Sequence, residues 1–368
     1  MEITSVRALT YTVPADVPGG DDVEDTIVFV TVETDEGITG YGETGYLYPE
    51  ATASFVNEQI APLVTGRNPL ETERVWDLLY RELNPRAQTG TWSTAVSAVD
   101  IALWDIKGKA YDEPIWRLLG GASETVPVYH TIGRAIRDEE RLAEIASGLA
   151  SDDADRIKIV VGKGEWATPS IDAERVTAVR DAIGDDVELA IDANYLYSVD
   201  EALELCNRLE SASVSLSWFE EPVYGNDVSL LSDLRNRTRV PLGAGQNEGH
   251  RFRHRELIEN GAIDISMPNA CFVGGFTEAT KVVGMAEAFN LRLVHGGGWP
   301  FQNAHLYAGL AAGDLVEFHD IVWSVGNEIY ESPPQPSGGS ITLPEEPGLG
   351  ITPDWDVLDE YEDGSGRS

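Results

Sequence analysis

Asp192 closes the apolar run Leu189-Ala190-Ile191, and Glu220 closes Trp218-Phe219, with a helical stretch from Ser198 to Leu209 between them. Two strands that end on carboxylates, one helix apart, can set oxygen ligands side by side. A parallel barrel needs that arrangement to hold a hard cation at its C-terminal rim. The same two residues also fit ordinary strand-end caps, so the surrounding elements must decide.

Those elements fall into three parts. Residues 1 to about 60 alternate apolar and polar, as in TIVFVTVET, with a turn at Asp35-Glu36-Gly37, and predict a small antiparallel sheet. From Pro62 to Leu119 the spacing is helical, with Val99, Ala102, Leu103 and Ile106 on one face, and Gly120-Gly121 ends that part. From Val126 eight short apolar runs alternate with amphipathic stretches: 126–130, 156–161, 187–192, 214–220, 240–245, 262–268, 291–296 and 315–320. Eight βα units close naturally into a TIM-type (β/α)8 barrel. An open doubly wound sheet is the alternative, but no G-x-G-x-x-G follows the first strand. After about residue 326 the chain is rich in Pro and Gly and is expected to return to the N-terminal part. The expected division is 1–124 for a cap, 125–325 for the barrel and 326–368 for the returning segment.

Composition narrows the function. The 368 residues carry 63 acids against 26 Lys and Arg, a net charge of −37, and the lysines are Lys107, Lys109, Lys158, Lys163 and Lys281. The acids are spread through globular sequence, in DDVED, RDEERLAE and SDDAD, which argues against disorder and against nucleic acid or an anionic membrane as partner. So acidic a surface fits a halophilic setting, where salt screens the self-repulsion. Cys206 and Cys271 sit in apolar contexts without metal-ligand spacing and read as reduced core residues of a cytoplasmic protein. The sequence opens with no charged-then-apolar leader, and no apolar run approaches the roughly 20 residues of a membrane span.

SAVDIALWDIKGKAYDEPIWRLLGG, the IDAN strand end, WFEEP, MPNACFVGGFTEA and the closing PEEPGLGI together resemble the mandelate racemase branch of the enolase superfamily, in order and over nearly the whole chain. The resemblance implies an α+β capping domain over a modified (β/α)8 barrel. It also implies one Mg²⁺, a small carboxylate substrate that loses its α-proton, and a homo-oligomer. Most of the barrier in such a reaction is charge developing on the carboxylate oxygens. A divalent ion and preplaced donors stabilise that charge.

Position by position, the resemblance makes Asp192 and Glu220 the first two metal ligands. The third is usually a glutamate; here Gln246 stands there, with Glu248 two residues on. On the second strand Lys158 matches a lysine that donates to the carboxylate, while Val160 stands where a second lysine would be the base. Lys163 lies just past Gly162 and is either a base reaching in or a solvated loop lysine. Asn269 replaces an aspartate that orients a seventh-strand histidine, and His295 is one residue early for that histidine, with Gly296 in its place. Glu317 matches a residue that donates a proton or hydrogen bond to the substrate. Asn194 and Tyr46, with Tyr48 nearby in GETGYLYPEA, are expected near the substrate.

These departures favour some family chemistries over others. A racemase needs a base on each face of the α-carbon, and Val160 removes one. Lactonising enzymes and dipeptide epimerases need lysines that Val160 and Asn269 replace. A dehydratase can work with one histidine as base and then acid. The expectation is therefore dehydration of an aldonate or aldarate to a 2-keto-3-deoxy acid, with His295 as proton shuttle. An epimerase or isomerase using Lys163, or a silent barrel that binds a sugar acid, are the alternatives.

Overall fold

The computed structural model describes residues 1–17, 23–45, 48–83, 89–134, 136, 138–164 and 167–362. The N-terminal part is an antiparallel sheet of β1 (Ile3–Ala15), β2 (Val23–Thr34) and β3 (Thr39–Thr44), with β2 in the middle. The helix Thr91–Tyr111 lies against it and buries Val99, Ala102, Leu103 and Ile106 with Val28, Val30 and Val32. The approach is close because β3 presents glycine there: a Cβ on Gly42 would come within 1.8 Å of the Ala98 carbonyl oxygen. Asp105 on the same helix accepts from the Tyr41 backbone (3.0 Å), Lys109 (2.6 Å) and the Leu349 backbone (2.9 Å). The C-terminal segment thus lies on this part of the molecule, and Trp355 packs its ring on Phe29 and Tyr41.

Eight parallel strands follow: β4 (Thr125–Ile132), β5 (Arg156–Val160), β6 (Glu188–Asp192), β7 (Phe219–Glu220), β8 (Leu242–Ala244), β9 (Ile265–Ser266), β10 (Arg292–Leu293) and β11 (Val316–His319). Each pairs with the next up to β10, and β11 returns to pair with β4. The ring closes between β10 and β11 through a parallel bridge at Val294–Leu315 and the His295 N–H to the Leu315 carbonyl (2.9 Å). Every one of the eight predicted strands is present, most of them shorter than their apolar runs. The strand β12 (Ser340–Thr342) adds antiparallel to the start of β4.

The connecting helices are set by local signals. Between β6 and β7, Ser198 caps the helix Val199–Ser211 and Glu201 bonds back to the Ser198 N–H, a capping box that fixes where the helix begins. Leu205, Cys206 and Leu209 turn its apolar face to the barrel. Inside the barrel, Tyr129, Ala190, Trp218, Ile265, Met267, Val294 and Leu315 form an apolar plug. Among the described residues, no helix is long and apolar enough to cross a membrane.

Candidate active site

Period-two alternation puts Lys158, Asp192, Glu220 and Glu317 on the inner face, above the plug and at the C-terminal ends of their strands. Lys158 is fully buried. Its Nζ lies 2.6 Å from Glu220 Oε2, 2.8 Å from Glu317 Oε1 and 3.4 Å from Asp192 Oδ2. Burial pushes the ammonium pKa down, but Glu220 and Glu317 outweigh it and hold the pKa well above the ordinary lysine value.

The three acids differ. Burial opposes ionisation of Glu317, but Lys158 and then His319 prevail and hold it down at about 2. Glu317 is surrounded by donors: Lys158, the Thr131 hydroxyl and the Gly298 N–H (2.8 Å). In all three contacts it is the acceptor, whereas the sequence led to the expectation of a donor of a proton or hydrogen bond to the substrate. Glu220 goes the other way: burial, with Asp192 and Glu317 adding to it, raises it well above the carboxylate range against the pull of Lys158. Its Oε1 is buried and has no hydrogen-bond partner. Asp192 is raised by burial, and its Oδ1 accepts the Asn194 N–H at 2.7 Å.

Gly296 and Gly297 pass between Glu220 and Gln246. A Cβ on Gly296 would lie 2.5 Å from Glu220 Oε1, and one on Gly297 would lie 3.2 Å from Gln246 Oε1. The Gln246 amide nitrogen donates to Glu221 Oε2 (2.7 Å), which leaves its oxygen toward the glycines. Glu248 instead pairs with Arg253 at 3.0 Å. The structure therefore brings Gln246 to the glycines beside Glu220 and ties Glu248 to a helix. Among the described residues, no three His, Cys, Asp or Glu side chains are arranged to hold a metal ion.

An oxygen-seeking divalent cation fits this donor set. Asp192, Glu220 and Glu317 crowd around one lysine in a dry site, where burial raises Asp192 and Glu220 toward their protonated forms, and a bound cation would favour the ionised forms instead. Burial holds Glu221 up at about 8, so it adds no charge at neutral pH. Asp192, Glu220 and the Gln246 amide oxygen are the residues that would hold the ion, and the unpartnered Glu220 Oε1 is the atom left free for it.

The expected proton shuttle is not at this rim. Val294 packs inside the barrel with the plug, and a side chain at 296 would point at Glu220; His295, between them, faces outward. Its Nδ1 accepts the Glu317 N–H (3.1 Å), and its ring stands against Tyr307 on the helix Pro300–Gly309. Burial holds it neutral, with a pKa of about 4. His295 mends the strand pairing at the closing seam. Asn269 is also committed elsewhere: its amide donates to the carbonyls of Gly296 (2.9 Å) and Gly298 (3.2 Å), and its oxygen accepts from Cys271 and Asn303. It braces the glycine loop and orients no imidazole.

Lys163 lies exposed on the loop after β5, where partial burial and Arg134 lower its pKa. Val160 pairs in register with Asp192 and is buried. Asn194 acts on Asp192 through its backbone N–H. Tyr46 lies outside the described residues, and Tyr48 is largely exposed.

Two residues escaped the sequence reading. Glu221 sits directly after a ligand-type acid, yet its positive φ of 42° turns it away from Glu220 to meet Gln246 and Asn226. His319 follows Glu317 by two residues on β11 and so shares its inner face. That periodicity was available in LVEFHD.

A cap over a closed barrel, with a lysine and acids converging on one rim, defines a barrel enzyme that handles a carboxylate beside a cation. The comparisons agree. The model of the mandelate racemase / muconate lactonizing enzyme N-terminal domain matches residues 1–120, and that of the enolase C-terminal domain-like family matches 140–357. The chain belongs to the mandelate racemase / muconate lactonizing enzyme family of the enolase superfamily, enzymes that act α to a carboxylate. It is 34% identical over 353 residues to D-galactarolactone cycloisomerase of Agrobacterium fabrum, covering 91% of this chain and 90% of that one. It is 30% identical over 342 residues to arabinonate dehydratase of Saccharolobus solfataricus, with the same two coverages of 91% and 90%. The fold matches a racemase from Streptomyces coelicolor with bound magnesium at a TM-score of 0.90 and 26% identity, covering 98% of this chain and 100% of that one.

Proposed function

We propose that this enzyme dehydrates a sugar acid, an aldonate or aldarate, to a 2-keto-3-deoxy acid with the help of Mg²⁺. The observation that carries this is the buried Lys158–Glu220–Glu317 cluster beside inner-face positions 160 and 296 that carry valine and glycine. Lys158 is the positive donor the rim offers to a carboxylate, and Glu317 keeps it charged and aimed. A bound divalent ion supplies further positive charge next to the carboxylate oxygens. With no lysine at 160 and no side chain at 296, a base on each face of the α-carbon is missing, which disfavours racemisation. The magnesium in the Streptomyces racemase and the dehydratase and cycloisomerase activities of the two sequence relatives support the reading.

A panel of aldonic and aldaric acids and their lactones, incubated with the protein and Mg²⁺ in high salt, tests it. Appearance of a 2-keto acid from an open-chain sugar acid is the expected result. Turnover of a galactarolactone alone would replace dehydration by cycloisomerisation. Absence of both product and α-hydrogen exchange across the panel would overturn the reading.

A further inference from the structure

We propose that His319, steadied by Asp320, is the catalytic residue that carries the proton between the substrate's α-carbon and its leaving hydroxyl. The inference rests on the function proposed above. It starts from what the rim lacks: Val160 carries no proton, position 296 is glycine, Asn269 is spent on the glycine loop, and His295 faces outward.

β11 supplies the missing group. Val316 and Phe318 pack outward into the main core, while Leu315 joins the plug and Glu317 binds Lys158, so the inner positions are 315, 317 and 319. His319 is the last residue of that strand and pairs in register with Thr131, whose hydroxyl bonds Glu317 from the same inner face. The imidazole thus stands one step above the Lys158–Glu317 pair, toward the cap. It is largely buried, with a side-chain exposure of 13%.

A carboxylate also stands beside the ring. The ring Nδ1 is buried and lies 3.0 Å from Asp320 Oδ1, within ion-pair distance for a protonated ring but without the geometry of a hydrogen bond. The same oxygen accepts the Ile321 N–H (2.8 Å) in the first turn of the helix Asp320–Ile329, where a negative charge is favoured. Among the described residues, Nε2 makes no hydrogen bond. From the cap, Asp25 on β2 is raised by burial against the pull of Arg134 and, more weakly, of His319, and its Oδ2 is buried without a hydrogen-bond partner. The charged groups around the imidazole are Glu317, Asp320 and Asp25, with Lys158 paired to Glu317 and Arg134 near Asp25.

The step balances. His319 Nε2 takes the proton from C2, and the C–H electron pair enters the enediolate of the carboxylate. As that pair forms the C2–C3 double bond, the C3–O bond breaks, and the imidazolium gives its proton to the departing hydroxyl, which leaves as water. The enol then becomes the 2-keto acid by gaining a proton at C3 and losing one from the C2 hydroxyl, both exchanged with solvent.

The test uses the full chain with Mg²⁺ in D2O and the same sugar-acid panel, following both 2-keto acid formation and α-hydrogen exchange by NMR. His319→Asn and His319→Gln should lower both about 1,000-fold, within the range a general acid–base group provides. The stabilisation of the protein against heat by Mg²⁺ and sugar acid should stay as in the wild type. Asp320→Asn should lower the rate about tenfold, and Lys163→Ala should leave it within about threefold. Retention of more than a tenth of the rate in both His319 variants, or loss of turnover in Lys163→Ala, would overturn the proposal. Wild-type exchange without 2-keto acid would reject dehydration while leaving His319 to be judged by exchange alone. A wild type that shows neither rejects both.

Discussion

Gly296 stands opposite Glu220 so closely that a single added carbon would lie 2.5 Å from the unpartnered Glu220 Oε1. The space beside that oxygen is thus kept by the absence of a side chain on the loop after β10, across the barrel mouth. Gly296→Ala should fill it. Position 296 has no positive φ, so the backbone accepts alanine there. The expected outcome is at least a tenfold loss of Mg²⁺ affinity by calorimetric titration, with a melting temperature within a few degrees of wild type. Unchanged Mg²⁺ binding would move the ion away from Glu220.

Among the described residues, Lys158 is the one cation that pairs with Asp192, Glu220 and Glu317. Lys158→Met should leave buried acids unbalanced and cost about 3–5 kcal/mol at neutral pH. Part of that loss should return near pH 5, where the acids take up protons. Urea unfolding at the two pH values checks this; a loss of equal size at both would mean that the carboxylates do not depend on the lysine.

Gln246 and Glu248 can be separated by exchange of their charges. Gln246→Glu should tighten Mg²⁺ binding about tenfold, the low end of what a disturbed ligand set changes. The gain is limited because the new carboxylate would face Glu221, which must then keep its proton. Glu248→Gln should leave Mg²⁺ affinity within about twofold, since Glu248 is engaged with Arg253. The reverse pattern in the same titrations would make Glu248 the ligand.

Glu43 joins cap to barrel by accepting from Trp299 Nε1 (2.8 Å), Gln302 Nε2 (3.0 Å) and the Tyr330 hydroxyl (2.7 Å). Burial raises its pKa from 4.5 to about 7 against those donors. The folded protein therefore holds a proton that the unfolded chain has released, and stability should fall as pH rises from 4.5 to about 7, then level off. The contribution is about 3 kcal/mol. Glu43→Gln should flatten this segment of the stability curve, and parallel curves for variant and wild type would show that Glu43 does not carry it.

The barrel was legible because its strands are apolar runs that end on polar residues, and Asp192 and Glu220 mark the rim without knowledge of register. The seventh strand was harder. Which of His295 and Gly296 faces inward depends on where the β10–β11 seam closes, at Val294–Leu315, and one residue decides it. Counting by twos from Glu317 would have found His319, because both lie on one unbroken strand. Glu221 could not be found that way, since its positive φ breaks the alternation after Glu220. Asn269 looked like a weakened partner for a histidine, but its role is set by a loop 27 residues away in sequence, which no local pattern reveals.

The hold of Asp105 on both Tyr41 and Leu349 has a consequence for synthesis. Leu349 lies 244 residues after Asp105, on the far side of the whole barrel in sequence. On the ribosome, the cap's sheet and its long helix emerge before the barrel, but the contacts of Leu349 and of Trp355 with them wait until the whole barrel has been made. Until then the Phe29 and Tyr41 rings lack their cover, and the Asp105 carboxylate lacks one of its donors. The cap is translated before the barrel yet finished after it, so a chain stalled between the barrel and Leu349 would carry a complete barrel beneath a cap still open to a chaperone.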